Sequence, residues 1–68
     1  MKVFTVMFHT GSEDMIANVF ASEDAAKECA EDCAARLFPA NKFSWNGHFL
    51  TCKDRDEEWS FQGWTVKE

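Results

Sequence analysis

Sixty-eight residues carrying a net charge of −5 make one domain, residues 1–68, of a size that buries only about 60% of its unfolded surface. The excess of acids argues against nucleic acid and anionic membrane as partners and leaves a basic protein partner open. Three cysteines in no disulfide framework suit reduced thiols and a cytoplasmic setting.

The opening run MKVFTVMF is too short to span a bilayer and is followed by no small-residue cleavage region, so it reads as a strand over residues 2–9. Phe4, Val6 and Phe8 share one face, and Val3, Thr5 and Met7 share the other. Both faces are largely apolar, as in a central strand or one with a partner on its open side. Thr10, Gly11, Ser12 and Glu13 form a turn. A second strand over 15–21 completes a hairpin, with Ile16, Asn18 and Phe20 alternating against Met15, Ala17 and Val19.

Residues 22–38, SEDAAKECAEDCAARLF, carry the one long helical period. Ala26, Cys29, Ala30, Cys33 and Leu37 fall on one face, mostly small residues that let a helix sit close to a sheet. Ser22 is placed to cap the first amides, and Glu23 and Asp24 follow where the helix dipole favours acids. Glu23 to Lys27 and Asp32 to Arg36 are acid-to-base pairs four apart, and Pro39 stops the helix. The outer face carries Glu28, Glu31 and Asp32 and is negative.

Asn46–Gly47, flanked by aromatics, predicts a hairpin between 43–45 and 48–52. The alternative is a loop over 40–47 feeding one strand over 48–53. After a polar turn at 54–57, the last strand runs over 59–67. Trp59 and Phe61 share one parity there, Trp64 and Val66 the other, and a bulge at Gly63 would align all four. The sum is an α+β fold in ββαββ order, one helix on one face of a small sheet of about four strands, antiparallel or mixed. The expected core is Phe4, Val6, Phe8, Ile16, Phe20, Ala26, Cys29, Ala30, Cys33, Leu37, Trp59, Phe61 and Trp64.

Candidate chemistry is sparse. Cys29, Cys33, His48 and Cys52 resemble a zinc set, but His48 and Cys52 in one strand lie about 13 Å apart, too far for one ion. Cys52 with His9 or His48 is the candidate thiol nucleophile and base, and nothing in the spacing supplies the orienting third group. No cofactor is expected. Trp45, Trp59 and Trp64 with Phe43, Phe49 and Phe61 could stack bases, but such platforms come with a positive groove and these residues have mostly acidic neighbours.

The opening strand, the phrase from Val19 to Ala26 entering the helix, and the closing Trp64-Thr65-Val66 resemble small, mostly uncharacterised bacterial and phage proteins. That resemblance implies a strand-strand-helix-strand-strand fold and a phage-type inhibitor of a host complex, and brings no catalytic residues. From the residues themselves, one helix covers only one sheet face. Three Trp and seven Phe exceed what so small a core readily hides. The chain is therefore expected to be a non-enzymatic protein-interaction module that forms a homodimer. Met7 and Trp45 are the expected anchors, and Glu28, Glu31 and Asp32 the steering charges toward a basic partner.

Overall fold

The computed structural model describes residues 1–67. Its elements are β1 (Lys2–His9), β2 (Asp14–Phe20), α1 (Glu23–Leu37), β3 (Ser44–Asn46), β4 (Phe49–Thr51) and β5 (Glu58–Thr65). The strands form one antiparallel sheet in the order β2-β1-β5-β4-β3, and α1 packs across β1, β2 and β5. The expected α+β architecture holds, with a fifth strand because residues 44–51 form a hairpin of their own. Asn46 closes that ladder against Phe49, so the two-residue loop is Gly47–His48. Gly47 has φ +63°, as a turn with glycine at its first central position requires.

Helix α1 begins and ends as its sequence dictates. Ser22 Oγ accepts the Ala25 N–H at 3.2 Å, and Phe38, directly before Pro39, closes the last turn by donating its N–H to the Ala34 carbonyl at 2.9 Å. Its buried stripe is Ala26, Ala30 and Ala34, with Cys29 and Cys33 half-buried beside it. Against it the sheet presents Val6, Leu50, Trp59 and Phe61. Trp59 is 1% exposed. It stacks on its cross-strand partner Phe8 at 4.6 Å between ring centroids and meets the edges of Phe43 at 5.4 Å and Phe38 at 6.1 Å.

Three residues expected inside lie outside. Leu37 has the right angle on the helix but is its last residue, and Phe38 fills the place against Trp59. Ile16 is 66% exposed because β2 carries a bulge: Val6 pairs with Asn18 and Met7 with Ile16, leaving Ala17 as the extra residue. Ile16 and Val19 thereby share the face away from α1. Trp64 is outside because the bulge expected at Gly63 is absent. The β1–β5 ladder runs unbroken from Lys2 opposite Thr65 to His9 opposite Glu58. Gly63 instead makes room for Phe4, whose ring would stand 3.1 Å from an added Cβ. Ala34, Leu50 and Cys52 complete the buried set.

The packing assigns unequal weights along one helical face. Ala30→Leu should cost about 1–3 kcal/mol by forcing α1 off the sheet, whereas Leu37→Ser should change stability by less than about 0.5 kcal/mol. Urea unfolding of both variants checks this, and equal losses would mean that α1 is rotated from the orientation described.

Candidate functional site

The registers assign every strand residue to one of two faces. Away from α1 lie Val3, Thr5, Met7 and His9 of β1, Asp14, Ile16 and Val19 of β2, Glu58, Ser60, Gln62 and Trp64 of β5, and Phe49 of β4. Val3 is opposite Trp64, Thr5 opposite Val19 and Met7 opposite Ile16, so the apolar side chains form one continuous patch over three strands. Trp64 is 48% exposed and Val19 50%. The Trp64 indole N–H donates to Thr5 Oγ1 at 2.9 Å, which holds the ring toward β1. Among the described residues of this face there is no lysine or arginine. Its acids, Asp14 and Glu58, stand at one end on either side of His9.

The residues singled out from sequence divide between two layers. Met7 lies on the open face. Trp45 lies on the helix side, opposite Leu50, half-buried with its ring edge-on to Phe61 at 5.5 Å. Lys27 stands over both rings, 6.0 Å from the centroid of Trp45 and 5.5 Å from that of Phe61. Glu28, Glu31 and Asp32 are exposed on α1, on the far side of the sheet from Met7, and Asp32 pairs with Arg36 at 3.0 Å. The aromatics divide likewise. Trp59 and Phe61 are buried, Phe43 and Trp45 are packed beside them, and only Phe49 and Trp64 reach the open face.

Sequence reasoning missed the most organised polar group on that face. Thr10 closes the β1–β2 turn, accepting the Glu13 N–H on Oγ1 at 3.0 Å and donating its own N–H to the Glu13 carbonyl at 2.8 Å. That closure sets His9 opposite Asp14, with Nδ1 2.7 Å from Asp14 Oδ1. Nε2 of the same ring is 2.6 Å from Ser60 Oγ on β5. The His9–Asp14 pairing was available from the hairpin. Ser60 was not, because nothing local shows that β5 lies beside β1. Next to Ser60 a groove of about 410 Å³ is lined by His48, Phe49, Ser60, Phe61, Gln62 and Gly63.

The thiols play no part in this group. Cys52 is buried and Cys29 and Cys33 are half-buried on α1. Burial pushes the Cys29 thiol up, and the neighbouring Cys33 and Asp32 add to the effect. No group of three or more His, Cys, Asp or Glu among the described residues could hold a metal ion, and no helix is long and apolar enough to cross a membrane. The chain matches no known protein family, no curated protein and no solved structure.

The acid-rich turn before β5 is tied down by Arg55. Its Nε and Nη2 donate to the two carboxylate oxygens of Glu57 at 2.8 and 3.2 Å, and its guanidinium lies 3.8 Å from the Phe38 ring centroid. The Arg55 hydrogen bond holds the Glu57 carboxyl below the usual carboxylate range. A lowered folded-state pKa gives stability that is present above the unfolded value and is lost as pH falls through the folded one. Acid unfolding of Glu57→Gln should therefore show a shallower loss between neutral and low pH than wild type, the two converging once Glu57 is protonated. Parallel curves would mean that the fork contributes nothing.

Proposed function

We propose that this chain is a protein-interaction module acting through its open sheet face, and that the occupant of the face is a second copy of the chain. The observation that carries this is the continuous patch on three paired strands of exposed Ile16, Val19 and Trp64 with half-buried Val3 and Met7, on a face with no lysine or arginine among the described residues. Isolated apolar residues on a surface are ordinary, but a contiguous patch marks a contact surface.

The sheet edges favour a face-to-face contact over strand addition. On β2, Asn18 Oδ1 accepts the Val19 N–H at 2.8 Å, so a side chain and not another strand satisfies that donor, and the Ala17 bulge bends the edge. The other edge, β3, is three residues long. Charge permits a like partner. Two copies related by a two-fold axis with antiparallel β1 strands set the Asp14 and Glu58 end of one face against the Val3 and Trp64 end of the other, so the acids of the two copies do not meet. Strands β2, β1 and β5, at about 4.8 Å spacing and about 3.3 Å per residue, give a platform of roughly 14 by 26 Å. That is the low end of interface sizes and suits reversible association.

A basic partner on the acidic face of α1 would occupy the opposite layer. At a Debye length of about 8–10 Å, Glu28, Glu31 and Asp32 are screened from anything docked on the open face. Single-stranded nucleic acid has less support, because the face on which the two exposed aromatics lie carries no lysine or arginine among the described residues to meet phosphates.

Sedimentation from micromolar to millimolar concentration should show a monomer–dimer equilibrium. Ile16→Glu should weaken it about tenfold or more while leaving the circular dichroism unchanged, and joint reversal of Glu28, Glu31 and Asp32 should leave it unaltered. Wild-type protein that stays monomeric throughout would overturn self-association. A foreign protein captured by wild type and lost in Ile16→Glu would then reassign the occupant of the face.

A further inference from the structure

Outside the apolar patch, one set of side chains among the described residues is arranged as reactive groups are arranged. We propose that Ser60 is a nucleophile activated by His9 and Asp14, and that the groove beside it takes small carboxylic esters with apolar acyl groups. The inference goes beyond the interaction module and does not depend on it.

The roles follow from hydrogen-bonding capacity. The Asp14 carboxylate can only accept, so the 2.7 Å contact places the His9 proton on Nδ1. Nε2 then carries the lone pair and accepts the Ser60 hydroxyl at 2.6 Å. A serine whose proton is held by an imidazole that a carboxylate orients is the arrangement that makes a hydroxyl nucleophilic, and it recurs on unrelated folds because geometry defines it. The three residues come from three adjacent strands, and the sheet sets their spacing: His9 is opposite Asp14 on β2, and Ser60 is one diagonal step away on β5. The His9 side chain is only 20% exposed, which limits competition from water for its nitrogens. Ser60 also lines the groove, whereas a purely structural serine need not be accessible to a ligand.

The groove supplies the remaining chemistry. Phe49, directly opposite Ser60, is an apolar wall for an acyl chain. Gln62, two residues along the same face, brings an amide donor for the oxygen that becomes negative. In the first step Ser60 Oγ bonds to the ester carbonyl carbon, its proton passes to His9 Nε2, and the alkoxide leaves with that proton as the alcohol. Water then adds to the acyl-serine, giving one proton to His9 and expelling Ser60 Oγ, which takes that proton back as the carboxylic acid departs. One ester and one water become one acid and one alcohol, and no other reactant is needed. The groove lies on the β4 side of Ser60, away from Ile16 and Val19 on β2, so the apolar contact that Ile16→Glu removes and the acyl site use different side chains.

The test uses the whole chain with a fluorophosphonate probe and with p-nitrophenyl acetate and butyrate. Intact mass and peptide mapping should place one label on Ser60, and ester cleavage should exceed buffer. Ser60→Ala should abolish both. His9→Ala should slow labelling about a hundredfold and remove the sigmoidal rise of its rate with pH, a signature that a merely structural histidine would not produce. Asp14→Asn, at an exposed position, should slow labelling by about tenfold or more with the fold intact by near-ultraviolet circular dichroism. Labelling of wild type no faster than of Ser60→Ala, or labelling at another residue, would overturn the proposal and leave the trio as a cross-strand clasp. Dimerisation reports on Ile16 and labelling on Ser60, so the two readings fail separately.

Discussion

The fold depends on Trp59 being enclosed. It sits on β5, the last strand in sequence yet the middle one in the sheet, inserted between β1 and β4. Its ring meets Phe8 from β1, Phe38 from the end of α1 and Phe43 from the segment before β3. One side chain thus joins both halves of the sheet to the helix C-terminus. Burying such a ring is among the largest single contributions available to a chain of this size, and truncating it to alanine leaves a hole worth about 3–5 kcal/mol, comparable to the whole stability of a small domain. Neither hairpin has this centre without β5. Strands β3 and β4 are only three residues each and reach β1 only through β5.

A large central ring calls for small neighbours above it, and α1 answers with alanine. Ala26, Ala30 and Ala34 contribute little area of their own but let the helix lie on Val6, Leu50, Trp59 and Phe61. One helix of fifteen residues cannot also serve the other side. The sheet is left with a second face that is apolar at Val3, Met7, Ile16, Val19 and Trp64 and polar around His9. The proposed interaction surface and the hydrogen-bonded Asp14, His9 and Ser60 both lie on that uncovered layer.

Much of this was legible in the chain. The helix, its Ser22 cap and its end before Pro39 follow from local chemistry, as do the β1–β2 hairpin and the turn at Gly47. The second apolar face was visible in Val3, Thr5 and Met7 before any sheet was known. The position of β5 was hidden, because strand order is set by packing between residues some fifty positions apart, as Val6 and Phe61 are. The bulge at Ala17 was hidden too, since alanine gives no bulge signal, while Gly63 gave a misleading one. That one extra residue decides the face of Ile16, as any shift of one residue in a strand must. Ser60 carries no motif around it and becomes a candidate nucleophile only when β5 is laid against β1.

We propose that the uncovered sheet face, and not the acidic helix, is where this molecule meets its partner. Amide chemical shifts recorded over a dilution series of the isotope-labelled protein test it residue by residue. Concentration-dependent shifts are expected at Val3, Thr5, Met7, Ile16, Val19 and Trp64, with the signals of Glu28, Glu31 and Asp32 unmoved. Shifts centred on α1, or none at any residue across the series, would contradict it.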